Sequence, residues 1–119
     1  VLYLSFAFLT AASALGAFLA VLVMRADAGR PPWRIAAVHG GLGGLGLAIL
    51  LFALWGTGQR GEAKGVSLFG WDAVGLLGAA FLAGIGAWGL RGRSGLVVAL
   101  HAILAMFGYV ILATYVSLG

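Results

Sequence analysis

Four stretches of this 119-residue chain, at about 2–24, 33–55, 71–90 and 95–117, run almost without a charged side chain. Each is close to the roughly 20 residues an α-helix needs to cross a hydrocarbon layer about 30 Å thick. In lipid a backbone must satisfy its own polar groups, which leaves helix as the conformation for an isolated apolar run of this length. The four runs and their short connections use up the whole chain. The sequence therefore reads as an all-α membrane protein, a single transmembrane domain over 1–119 with no room for a soluble one. Composition agrees: 63% of residues are hydrophobic and 8% charged, against about a quarter charged in soluble domains.

The punctuation between the runs is sharp. Pro31 and Pro32 forbid continuation of the first helix and suit the start of the second. The first run resembles a secretory signal in its apolarity, but no basic segment precedes it and it is long, so it is expected to be a retained helix. Trp33, Trp55, Trp71 and Trp88 all fall near span ends, where aromatic rings sit at the membrane interface. Asp72 is expected in the first turn of the third helix, where a carboxylate complements the helix dipole.

Basic residues set the orientation. The first connection carries Arg25, Arg30 and Arg34 and the third carries Arg91 and Arg93, while Arg60 and Lys64 of the middle one are offset by Glu62. The positive-inside rule then places connections one and three in the cytoplasm and both termini outside, in an up-down four-helix transmembrane bundle of the bacterial inner membrane. The net charge of +4 reports this orientation and does not point to nucleic acid.

The second and fourth runs carry the only two histidines, His39 and His101. Each lies about six residues into its helix, or about 9 Å, so on parallel helices the two reach a common depth. Each is followed at +4 and +7 by small residues on its own helical face: Gly43 and Gly46 in one, Ala105 and Gly108 in the other. Residues 1–57 laid over 63–119 without a gap pair the two histidines, and pair Leu15-Gly-Ala17 with Leu77-Gly-Ala79, as expected of two parallel two-helix repeats. The second and fourth helices of such a bundle stand across its diagonal. That distance suits one b-type haem ligated by His39 and His101, with small residues leaving a flat slot and Arg34 and Arg93, joined by Arg30 or Arg91, pairing with its propionates.

Other chemistry is thinly represented. The absence of cysteine excludes disulfides, thiolate metal sites, iron–sulfur ligation and thioether-linked haem. Two histidines supply half of a tetrahedral shell, and no carboxylate lies at their depth. The Gly41-Leu-Gly43-Gly44-Leu-Gly46 string follows no strand and is not a dinucleotide fingerprint. No nucleophile–base pair or carboxylate dyad suggests hydrolysis. Tyr109 reads as an outer-half aromatic with a secondary reading in electron or quinone contact. The rival to the haem reading is an accessory or assembly subunit without haem, whose glycine faces, Gly40-x-x-x-Gly44 among them, pack against partner helices.

At His39 and His101 the chain resembles the four-helix membrane b-type cytochromes, in which histidines on facing transmembrane helices ligate haem and electrons pass to or from quinol. The resemblance rests on the four-span plan and the histidine-plus-small-residue pattern. It implies electron transfer through one haem, quinone or quinol as a redox partner, and association with other membrane subunits or further copies of the chain. Four histidines would be needed for two haems.

Overall fold

The structure is a computed structural model and describes residues 1–25, 32–56, 67–91 and 93–118. The expectations for Arg30, Arg60, Glu62 and Lys64 lie outside the described residues. Four α-helices account for nearly all of it: α1 (Leu2–Arg25), α2 (Trp33–Gly56), α3 (Ser67–Gly89) and α4 (Gly95–Leu118). Each is long and apolar enough to span a membrane. At 24 residues a helix extends about 36 Å, enough to cross the hydrocarbon with room to tilt.

Local chemistry explains the helix ends. The Pro32 carbonyl accepts the Ala36 N–H at 3.0 Å, opening α2. Ser94 caps α4, its Oγ accepting the Val97 N–H at 3.3 Å. After α3 the chain turns through Arg91 at φ 54°, whose N–H bonds the Trp88 carbonyl at 2.8 Å, a left-handed helix stop made without glycine.

The start of α3 corrects the expectation from sequence. The helix begins at Ser67, not Trp71, so Asp72 stands beyond the first turn, exposed, and does not complement the helix N-terminus. The extension has a packing cause. Gly70 is buried against its neighbours: a Cβ there would lie 2.8 Å from Leu54 Cδ2 and 3.2 Å from Tyr115 Cζ. Contact with α2 and α4 holds in helix a turn that the sequence marks as a connection.

The closest packing is between α1 and α2 and between α3 and α4, with lighter contact between α2 and α3 and between α1 and α4. In the first hairpin Ser5, fully buried, donates its hydroxyl proton to the Gly46 carbonyl at 2.8 Å, while Ala12 meets His39. Gly46 permits this approach, since a Cβ there would be 2.8 Å from Leu9 Cγ and 3.2 Å from the Leu9 backbone nitrogen. In the second hairpin Gly108 presses on Leu77 in the same way, with 2.9 Å from the Cβ position to Leu77 Cγ.

The core is Leu9, Leu50, Leu54, Ala73, Leu77 and Leu112. These come from the first half of α1 and α3 and the second half of α2 and α4, so they fill one end of the molecule. The histidines lie toward the other end. There, no residue of α2 before Gly46 and none of α4 before Gly108 is buried.

Candidate functional site

His39 and His101 are brought together. Their ring centroids are 5.8 Å apart and the ring planes stand at 86°. Each ring is held by the other helix of its own hairpin. His39 Nδ1 lies 2.8 Å from the Ala12 carbonyl oxygen on α1, and His101 Nδ1 lies 2.6 Å from the Ala80 carbonyl oxygen on α3. A carbonyl oxygen only accepts, so in each bond Nδ1 carries the proton and donates it. In the neutral ring this leaves the Nε2 lone pair free. Neither Nε2 has a hydrogen-bond partner among the described residues, and neither is sealed from accessible space.

Glycine makes room for both rings. Gly16 stands one helical turn after Ala12, and a Cβ on it would lie 2.8 Å from His39 Cε1. Gly84 stands one turn after Ala80, and a Cβ there would lie 3.0 Å from both Cε1 and Nδ1 of His101. The same device therefore occurs twice: an acceptor carbonyl, then four residues later a missing side chain under the ring.

From the sequence, Ala12, Ala80 and Gly84 are not singled out, and Gly16 is marked only as the repeat partner of Gly78; the reason is a shift in register. The hydrogen-bonded partners are 27 residues apart in the first hairpin and 21 in the second. An ungapped repeat cannot represent both, and it pairs Leu15-Gly-Ala17 with Leu77-Gly-Ala79. The contacts instead pair Leu9 with Leu77, Ala12 with Ala80 and Gly16 with Gly84, which corrects the alignment of the first helices. In that register both helices read Leu-x-Ala-Ala-x-x-x-Gly, a signal present in the sequence and visible once a gap is allowed.

The other expected site residues fall at several places. Gly43 faces α1, its Cβ position 4.0 Å from Ala12 Cβ, and Ala105 is half-buried. Gly46 and Gly108, expected to border a slot, are filled by packing: Leu9 covers the first, and Leu76 and Leu77 cover the second. Arg34 is exposed, its guanidinium 5.6 Å over the Trp33 ring, and Arg93 is exposed after the α3–α4 turn. On α1 and α4, Thr10 gives its proton to the Phe6 carbonyl at 2.7 Å, so Tyr109 donates to Thr10 at 2.8 Å while its ring stacks on Phe6 at 5.7 Å.

Among the described residues no three histidine, cysteine, aspartate or glutamate side chains gather to hold a metal. A cofactor that brings its own in-plane ligands asks for only two. Two imidazoles sharing a metal through bonds of about 2 Å would have ring centroids about 6 Å apart, against the 5.8 Å found here. The donor set, the free Nε2 atoms and the spacing all fit such a group. Comparison with protein-family models, with curated proteins and with solved structures returns no match.

Proposed function

We propose that this chain is a membrane electron-transfer protein that binds one b-type haem between His39 and His101, as a small cytochrome or as the haem-bearing subunit of a respiratory or photosynthetic complex. One observation carries the reading. Two imidazoles with Nδ1 committed to backbone carbonyls stand 5.8 Å apart, each with its Nε2 lone pair unused. Two neighbouring acceptors without a protein donor suit a shared Lewis acid.

The residues divide the work. His39 and His101 would hold the iron through Nε2, and the bonds to Ala12 and Ala80 fix their tautomer. Gly43 and Ala105 keep the flanking surface low. Arg34 and Arg93 would pair with the propionates at the cytoplasmic face. Bound in this way, a b-type haem supplies a one-electron couple. With both histidines committed to the iron, such a group would suit electron passage better than oxygen chemistry. In this reading the helices form an up-down bundle in the bacterial inner membrane with both termini outside, exchanging electrons with quinol or a neighbouring subunit.

The test is a reduced-minus-oxidised spectrum of the purified protein. Sharp bands of six-coordinate low-spin haem are expected, and both His39→Ala and His101→Ala should remove them. A colourless protein that keeps its helices with both histidines replaced would instead support the accessory subunit, for which the glycine packing at Gly46 and Gly108 already speaks.

A further inference from the structure

We propose that Ala12 with Gly16 on α1, and Ala80 with Gly84 on α3, are paired positioning sites that hold the two ligand rings crossed, so that the bound haem has near-perpendicular axial imidazoles. The inference rests on the bis-histidine haem reading and extends it to residues of the helices that carry no ligand.

A single hydrogen bond from Nδ1 fixes where one ring atom points but leaves the ring free to swing about that direction. A second constraint removes the freedom. At Gly16 and Gly84 the ring edge lies 2.8 Å and 3.0 Å from where a Cβ would stand, nearer than a side chain allows, so the bare helix surface is the stop. The outcome is an angle of 86° between the planes. Both hairpins reach this arrangement although the chain between carbonyl and histidine is 27 residues in one and 21 in the other. The contact, not the spacing along the chain, is what the two halves share.

Ring orientation matters because each imidazole π system overlaps one of two iron d orbitals. Parallel rings act on the same orbital and split the pair; crossed rings act on one each and leave them nearly degenerate. The ferric low-spin centre then gives a highly anisotropic paramagnetic resonance spectrum, dominated by one low-field line. Parallel rings give a rhombic spectrum with three resolved lines. The protein's lever is thus the geometry of the axial ligands.

The experiment is frozen-solution electron paramagnetic resonance of the oxidised full chain, with the optical spectrum as a check on haem content. A single low-field line is expected. A three-line rhombic spectrum from protein with its full haem absorption would overturn the inference and leave the haem reading standing, whereas the lack of any haem absorption defeats both. Gly16→Ala and Gly84→Ala should each shift the low-field line toward the rhombic pattern by pushing one ring aside. Gly40→Ala, next to His39 but with nothing within 4 Å of its Cβ position, should leave the line unchanged. An unmoved line in haem-loaded Gly16→Ala and Gly84→Ala proteins would remove the positioning role. If neither variant folds, the wild-type line alone still decides between crossed and parallel rings.

Discussion

The two ends of this molecule are built from the same residue types and do different things with them. At one end Leu50, Ala73 and Leu112 are fully enclosed and every helix contributes to a continuous core. At the other, α2 and α4 bury nothing over their first three turns, and the closest features are two imidazoles and the small residues beneath them. Glycine shows the contrast best. At Gly46 and Gly108 its missing side chain admits a leucine, and at Gly16 and Gly84 it admits an imidazole ring. The same absence makes a helix crossing in one place and a seat for a histidine in the other. One end carries stability, and the other is free to carry a function.

That division can be broken by experiment, and the largest effect belongs to the histidines. His39→Ala or His101→Ala should abolish haem binding altogether while the helical circular dichroism of the metal-free protein stays close to wild type. A collapse of the helices would mean that the ends are not separable. Next come Leu50→Ala and Leu112→Ala, each opening a cavity in the packed end at a cost of about 2–4 kcal/mol. Denaturant titration in detergent should register this loss, with haem still bound by the folded fraction. Ser5→Ala removes the hydroxyl bonded to Gly46 and should cost about 0.6 kcal/mol, as interhelical hydrogen bonds in membranes do on average. A loss much above that would show that the α1–α2 crossing depends on the hydroxyl more than on glycine. Smallest of all, Gly40→Ala at the open end should change stability by no more than about 0.5 kcal/mol.

Much of the fold is legible in the sequence because a bilayer imposes a simple length rule. Three of the four helices begin and end within a residue or two of their hydropathy limits. The exception, α3, is lengthened at its start by tertiary contact at Gly70, which no local rule reports. The site is half legible. The two histidines stand out because ionisable groups inside apolar spans are rare. Their supports do not, because an alanine carbonyl and a glycine in apolar helices look like any other small residues. Only three-dimensional contact separates Gly16, under a ring, from Gly40, under nothing.

Each imidazole is tethered inside its own hairpin, His39 to α1 and His101 to α3, so neither helix pair alone sets the opening between the rings. That opening is the separation of two stiff arms joined at the Leu50–Leu112 end. Leu50 lies eleven residues beyond His39, a lever of about 16 Å. Pivoting by about 4° would change the jaw by about 1 Å over that length. A substitution at the far end can thus retune the spacing of the two rings without touching anything near them.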